Sequence, residues 1–174
     1  ALQQKLRMTM VYVTHDQAEA MSMADQVILL REGRVEQDAT PEELYARPAS
    51  MFAARFIGTP PMNVVAGTVL AQASPAWAAR LNARAVDIAI GIRPEDIRFA
   101  AGDGADGVPA TISGIEYLGA DSVLSCALGD ALLAVRAKGK LHAAAGDRVR
   151  LHWDLAATHC FDRAGGQRQP QGLA

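Results

Sequence analysis

The run Gly58-Thr59-Pro60-Pro61 divides the chain into two stretches of different texture. Two consecutive prolines remove two backbone donors and fix two backbone angles, so neither a helix nor a sheet strand is expected to continue through them. Before the break, apolar runs alternate with helix-start signals, which is typical of an α/β domain. After it, short β-type runs are separated by Gly, Asp and Pro, which indicates a small β-barrel or sandwich.

The first stretch has the pattern of the end of a parallel α/β sheet. Residues 9–14 are almost uniformly apolar or β-branched, which predicts a strand buried on both faces. Asp16 follows as a candidate N-cap, with Glu19 at capping-box spacing from it. Residues 26–30 predict a second buried strand, and Glu32-Gly33 predicts the turn of a hairpin that follows it.

Two further helices are expected before the break, and mainly strands after it. Thr40 and Ser50 are suitable N-cap residues, and Pro41 suits a first helical position. The strands predicted in the second stretch are residues 64–70, 86–92, 110–117, 122–127, 132–135, 148–152 and 158–161. Residues 71–84 are rich in alanine and fit either a helix or a loop. The polar tail from Gly165 is expected to be frayed.

His15 is the candidate functional residue of the first stretch. It stands directly after the predicted strand 9–14 and directly before the predicted N-cap. Ligands of open α/β sheets lie outside the carboxyl ends of the strands, and an imidazole there can donate a hydrogen bond to a phosphate oxygen. A single histidine at a strand end is nevertheless more often structural, so spacing alone leaves both interpretations open.

Longer runs of residues resemble one protein family. Residues 13–21, Val-Thr-His-Asp-Gln-Ala-Glu-Ala-Met, resemble the switch-histidine loop of ABC transporter ATPases. Residues 56–63, Phe-Ile-Gly-Thr-Pro-Pro-Met-Asn, are similar to the exit from the ATPase domain in importers of the maltose and glycerol-3-phosphate type. Residues 91–95, Gly-Ile-Arg-Pro-Glu, resemble the signature of their transport-associated OB-type domain. Residues 118–121, 159–162 and 166–168 are most similar to the sn-glycerol-3-phosphate importer ATPases.

The resemblance implies a fold class and a site. Residues 1–58 would be an α/β remnant, the last strands and helices of an ABC ATPase domain, and residues 59–63 a linker. Residues 64–166 would form an all-β OB-type (transport-associated) barrel with a regulatory role, and residues 167–174 a disordered tail. His15 would be the catalytic residue of this part and would contact the γ-phosphate of ATP. ATP and Mg²⁺ are the cofactors implied.

The resemblance also implies partners and a location. The chain would work as a homodimer beneath transmembrane permease subunits, served indirectly by an extracytoplasmic solute-binding protein. That places it in the cytoplasm, peripheral on the inner face of the cell membrane, and no apolar run is long enough to span a bilayer. The transported solute would be glycerol-3-phosphate or a related sugar-type compound. A net charge of −2 argues against a nucleic-acid partner.

Motifs that ATP hydrolysis requires are missing from the chain. There is no P-loop, because Gly139-Lys140 is followed by Leu141 and has no glycine five residues earlier. There is also no LSGGQ-like run, and no apolar run ends in Asp-Glu. We expect these elements upstream of Ala1. Since phosphoryl transfer depends on positioning and charge stabilisation by several groups, the fragment alone is expected to be inactive.

A second interpretation is a non-catalytic OB-type module that binds an oxyanion or a sugar phosphate for regulation. It needs converging donors, for which Ser113, Ser122 and Lys138 are the candidates. No metal site is expected, because the histidines after the break (His142, His152 and His159) show no metal-type spacing. The two cysteines, Cys126 and Cys160, are expected to be reduced.

The Arg93-Pro94-Glu95 triplet permits two interpretations. Pro94 disfavours helix at Arg93 and fixes a turn. The arginine and the glutamate would then support the barrel or make a regulatory contact. Alternatively they form an exposed, solvated pair of little energetic weight. The structural role is favoured.

Overall fold

The computed structural model describes residues 9–102 and 106–169. The part before the break contains α1 (Gln17–Met23), β1 (Val27–Arg31), β2 (Arg34–Ala39), α2 (Pro41–Ala46) and α3 (Met51–Phe56). The part after it contains β3 (Asn63–Ala66), α4 (Gly67–Ala73), α5 (Pro75–Leu81), β4 (Ile88–Ile92), β5 (Arg98–Ala101), β6 (Val108–Tyr117), β7 (Asp121–Leu128), β8 (Ala131–Lys138), β9 (Arg148–His152) and β10 (His159–Asp162). Short 3-10 turns occupy Asn82–Val86, Pro94–Asp96 and Leu155–Ala157.

The hairpin predicted around Glu32-Gly33 is confirmed. Strands β1 and β2 pair antiparallel, and Arg31 faces Arg34 across a two-residue loop. Glu32 and Gly33 both have positive φ, 51° and 76°, as a type I′ turn requires. The burial on both faces that was expected for the strand at residues 26–30 is wrong. Only Leu29 of β1 is buried, because β1 pairs with β2 alone among the described strands.

The strand predicted for residues 9–14 is also wrong. These residues pair with no strand in the described part of the chain. Val11 and Val13 are each 91% exposed. A strand of a parallel sheet needs a hydrogen-bonded neighbour on at least one side, so the apolar pattern alone does not produce one here.

The predicted helix starts are confirmed. The Asp16 side chain accepts hydrogen bonds from the backbone of the first turn of α1, and Ser50 does the same for α3. Thr40 and Glu43 form a full capping box at the start of α2. The cap at Asp16 is not a capping box, since Glu19 bonds elsewhere.

The second part is a curled half-barrel built from two antiparallel sheets. Five strands run in the order β5-β9-β6-β7-β8, and three run in the order β10-β4-β3. Both sheets contribute to one core, which contains twenty buried side chains among the described residues, including Ile90 from the smaller sheet and Leu133 from the larger. The fold is of the OB type that the sequence predicts.

The sequence misplaces two elements of this half-barrel. Of residues 64–70, predicted as a strand, only those up to Ala66 pair in the sheet, and α4 begins at Gly67. The buried residues of α4 are Gly67 and Leu70, and a spacing of three residues is typical of one face of a helix. A short apolar run does not distinguish a strand from a buried helix, so the sequence did not reveal α4. The sequence does not predict strand β5, because Arg98–Ala101 shows no alternation of polar and apolar residues. Its residues are largely exposed in the structure.

A buried asparagine joins the two sheets. The Asn63 amide donates to the carbonyl of Ala134 at 2.8 Å and accepts from its N–H at 2.7 Å. The side chain therefore satisfies backbone groups of the edge strand β8 that would otherwise lack partners at this position.

The expected disorder of the C-terminal tail is wrong for residues 167–169. Gln167 forms a β-bridge with Ser50, and Arg168 forms one with Phe161. The backbone of Gln169 donates to the carbonyl of Cys160. These residues tie α3 to β10, and residues 170–174 lie outside the described part.

Candidate functional site

His15 lies in an exposed bend immediately before α1. Its ring makes no hydrogen bond with any residue in the described ranges. The residue that the sequence singles out is therefore presented to solvent rather than buried as a structural histidine. An imidazole in this position is free to donate to an incoming phosphate oxygen.

The backbone around His15 is held on both sides. On one side, Thr14 Oγ1 donates to a Glu19 carboxylate oxygen at 2.8 Å and accepts from the Asp16 N–H at 3.0 Å. On the other, Asp16 Oδ1 accepts from the N–H groups of Ala18 and Glu19 at 2.7 and 3.1 Å. The histidine thus stands on a fixed loop although its own side chain is free.

Gln17 connects this loop to the break in the chain. Its side-chain oxygen accepts from the N–H of Gly58 at 3.0 Å. The contact spans 41 residues. No local pattern in the sequence indicates such a pairing, so the sequence analysis missed the role of Gln17.

Arg93 lies at the junction of the two parts and is only 3% exposed. Its two terminal nitrogens donate to the carbonyls of Ile57 at 2.5 Å and Tyr45 at 2.6 Å. The guanidinium carbon stands 3.8 Å from the centroid of the Tyr45 ring, a close cation–π contact. The structural role favoured for Arg93 agrees with this geometry, and the alternative of an exposed, solvated pair is wrong.

Glu95 completes this junction through Tyr45. The Tyr45 hydroxyl donates to a Glu95 carboxylate oxygen. Burial and this hydrogen bond raise the pKa of Tyr45 to about 12, so the hydroxyl keeps its proton at neutral pH. Burial lowers the pKa of Arg93, but a guanidinium starts so high that it stays charged. Arg93 and Glu95 therefore hold one tyrosine between them.

The described residues do not form a nucleotide or metal site by themselves. No group of three or more potential metal ligands occurs among them. Oδ1 of Asp16, the carboxylate beside His15, is engaged by the backbone of α1. The residues present fit one contact to a phosphate, at His15, and do not fit a complete site for ATP and Mg²⁺.

Two of the three donors proposed for an oxyanion site, Ser113 and Ser122, are used within the half-barrel. The Ser113 hydroxyl donates to the carbonyl of Ser125, and the Ser122 hydroxyl donates to that of Gly139. Two of the three candidate hydroxyl and ammonium donors therefore already have partners, which weakens this alternative. Cys126 and Cys160 are buried free thiols, as expected. None of the described helices has the length and apolarity needed to cross a bilayer.

The family model of the TOBE domain matches residues 90–161, which lie within the half-barrel. Similar proteins extend over almost the whole chain. The sn-glycerol-3-phosphate import ATP-binding protein UgpC of Cereibacter sphaeroides is 40% identical over 171 residues, which cover 96% of this chain and 49% of the relative.

UgpC of Salmonella typhimurium is 39% identical over 177 residues, which cover 96% of this chain and 49% of the relative. An uncharacterized ABC transporter ATP-binding protein of Escherichia coli O157:H7, YcjV, is 36% identical, and the match covers 92% of this chain and 48% of the relative. The chain is therefore a homologue of ABC transporter ATP-binding proteins, and the family that its sequence resembles is confirmed. It spans about half the length of the curated relatives it matches.

Proposed function

We propose that this chain is part of the ATP-hydrolysing, energy-coupling subunit of an ABC importer, and that His15 contacts the γ-phosphate of ATP. The observation that carries the proposal is the exposed ring of His15 on a loop fixed by Thr14, Asp16 and Glu19. The exposed ring can be reached by an anionic ligand, and the caps on either side hold its backbone in place. The names of the relatives, one an import ATP-binding protein and one an ABC transporter ATP-binding protein, support the same role.

The remaining ATP-binding groups would belong to a part of the protein outside this chain. Apolar surface on the first part supports this. Met10 and Tyr12 are more than 60% exposed, and Ile28, Leu30 and Val35 on one face of the hairpin are more than 50% exposed. Exposed apolar side chains that gather into a patch often mark an interface. We infer that an ATP-binding half, with the P-loop and the Mg²⁺ ligands, covers it.

In this arrangement, residues 1–58 complete the ATPase domain and residues 64–166 form the OB-type regulatory domain, with residues 59–63 as the linker. Bound ATP supplies the phosphoanhydride bond whose hydrolysis drives transport. His15 donates a hydrogen bond to the terminal phosphate and stabilises the charge that develops on it. Asp16 holds the first turn of α1 and so fixes the direction of the histidine.

The proposal extends to partners and solute. The intact subunit would pair with a second copy and with transmembrane permease subunits, on the cytoplasmic face of the cell membrane. Glycerol-3-phosphate or a related solute is the proposed cargo, since two of the relatives cited here are named for its import. Solute selection itself would belong to the permease and to an extracytoplasmic binding protein.

A chimera tests the role of His15. Residues 9–169 of this chain would replace the aligned part of the Cereibacter sphaeroides relative, which supplies the ATP-binding half. We expect the chimera to hydrolyse ATP, and His15→Ala to lower the rate by about a hundredfold or more, the typical cost of losing one donor to the developing charge. His142→Ala, an exposed histidine in the half-barrel, is the matched control and should leave the rate unchanged. Equal rates for the His15→Ala and control chimeras would contradict the proposal.

A further inference from the structure

A single peptide group lies between the His15 loop and the half-barrel. The peptide joining Ile57 to Gly58 donates its N–H to the side-chain oxygen of Gln17 at 3.0 Å. The carbonyl of the same peptide accepts from Arg93 at 2.5 Å. One planar unit therefore binds a side chain of α1 at one end and a side chain of the half-barrel at the other.

We propose that this peptide is a relay: Gln17 and Arg93 are positioning residues that couple the orientation of His15 to the TOBE half-barrel. The inference rests on the proposed function in so far as His15 acts on ATP. It adds a route by which the His15 loop and the half-barrel influence each other.

The relay is tightly packed around Gly58. This glycine has φ of +112°, a conformation that side chains with a Cβ rarely adopt. A Cβ added there would lie 2.9 Å from Nη1 of Arg93 and 3.4 Å from the Tyr45 ring. The guanidinium and the peptide can meet at hydrogen-bond distance only because position 58 has no side chain.

The far end of the relay is held rigidly. Arg93 is buried, bonds the carbonyl of Tyr45 as well as that of Ile57, and lies over the Tyr45 ring. Glu95 accepts from the hydroxyl of the same tyrosine. Because Tyr45 belongs to α2, the half-barrel binds the end of α2 and the end of α3 through one arginine. A shift of these helices must move Arg93 or break its bonds.

The near end of the relay leads directly to His15. Gln17 is the first residue of α1, and only the N-cap Asp16 stands between it and His15. The cap bonds hold His15, Asp16 and Gln17 in one fixed turn, so a displacement of the Gln17 side chain would shift the loop that carries His15. The Gln17–Gly58 hydrogen bond then lengthens or shortens, and hydrogen bonds at the two ends of one amide polarise each other.

Amide hydrogen exchange of the full 174-residue chain tests the relay without any nucleotide. Arg93→Met removes the donors and keeps apolar bulk. We expect it to speed exchange at Gly58 and at Ala18 and Glu19 of α1 by roughly fivefold, the effect of losing one hydrogen bond. Arg80→Met is the matched control, since Arg80 is an exposed arginine near the end of α5 in the half-barrel. It should leave these amides unchanged.

A second variant protects the test against general unfolding. Gln17→Ala removes only the near contact and should shift the NMR signals of Tyr45 and Arg93 while the strands of the half-barrel keep theirs. Coupling is reciprocal, so both variants must act on the other end of the relay. Unchanged α1 exchange in Arg93→Met, equal changes in Arg80→Met, or unchanged Tyr45 and Arg93 signals in Gln17→Ala would overturn the relay. Loss of ATP hydrolysis in the chimera bears only on the proposed function, because these readouts need no ATP.

Discussion

The two parts of the chain differ in how completely they bury their apolar residues. Among the described residues, the half-barrel has twenty buried side chains in one core. The main core of the first part has four, Leu29, Leu44, Ala53 and Ile57. Yet the first part carries apolar residues such as Val11 and Val13 almost fully in solvent.

The difference shows that two parts of similar hydrophobic content can bury very different fractions of their apolar side chains. In the half-barrel, every described strand has a paired neighbour, and strands such as β7 bury alternate residues in the shared core. In the first part, the hairpin and residues 9–14 have neighbours on too few sides. Stability should therefore depend on the half-barrel core, and binding to another protein region should depend on the first part.

The largest effect is expected from the core of the half-barrel. Leu133 of β8 is fully buried, whereas its neighbour Leu132 is 62% exposed. Leu133→Ala should lower the free energy of unfolding by about 2–5 kcal/mol because it leaves a cavity. Leu132→Ala and the exposed Leu30→Ala of the first part should each change it by about 0.5 kcal/mol or less. Chemical denaturation measures all three, and an equal loss for Leu133→Ala and Leu132→Ala would contradict the described core.

The next effect concerns the join between the two sheets. Asn63→Ala would leave the N–H and carbonyl of Ala134 without their side-chain partner. We expect a loss of about 1–3 kcal/mol in the free energy of unfolding, the cost of unsatisfied buried polar groups. Gln26→Ala, which removes an exposed side-chain hydrogen bond in the first part, should have a much smaller effect. Equal losses of unfolding free energy for Asn63→Ala and Gln26→Ala would contradict the role of Asn63 in joining the two sheets.

A pH-dependent effect is expected at His159. Burial, and then the nearby charges of Arg168 and Arg93, lower its pKa from 6.5 to about 4. The unfolded chain thus binds more protons than the folded chain between these values, so stability falls as the pH drops from 6.5 towards 4. Solvent screening at the partly exposed ring limits this loss to roughly 1–2 kcal/mol.

Thermal unfolding across that pH range measures this loss. His159→Gln should flatten the part of the pH profile that belongs to His159. The control His142→Ala, which alters an exposed histidine, should keep the full slope. A profile of unchanged slope in His159→Gln would show that this ring does not carry the effect.

The smallest effect is expected at the Thr40 cap in the first part. The Thr40 hydroxyl accepts from the N–H of Glu43 and completes the capping box of α2. Thr40→Ala should cost about 1 kcal/mol, and Thr40→Ser should recover most of it because the cap oxygen is kept. Differential scanning calorimetry can resolve the pair. Equal destabilisation by both would mean that packing of the threonine methyl, not the cap, is what matters.

Local signals made much of this structure predictable. The hairpin turn at Glu32-Gly33, the caps at Asp16, Thr40 and Ser50, and most strands of the half-barrel follow from short patterns in the sequence. The family resemblance, and with it the interest of His15, also comes from contiguous residues.

Features that depend on distant neighbours were not predictable. Burial of residues 9–14 required strands beside them, and the sequence cannot show whether those strands are present. The contacts of Arg93 with Tyr45 and Ile57 span 48 and 36 residues, and that of Gln17 with Gly58 spans 41. No local period encodes such pairs.

Hydrogen exchange of residues 9–14 tests most directly the claim that the first part is completed by an ATP-binding half. In the 174-residue chain, these amides should exchange at nearly unstructured rates while the strands of the half-barrel stay protected. In the chimera with the ATP-binding half of the Cereibacter sphaeroides relative, exchange of residues 9–14 should slow by about a hundredfold or more as they enter a sheet. Equally fast exchange of these residues in both proteins would contradict the account.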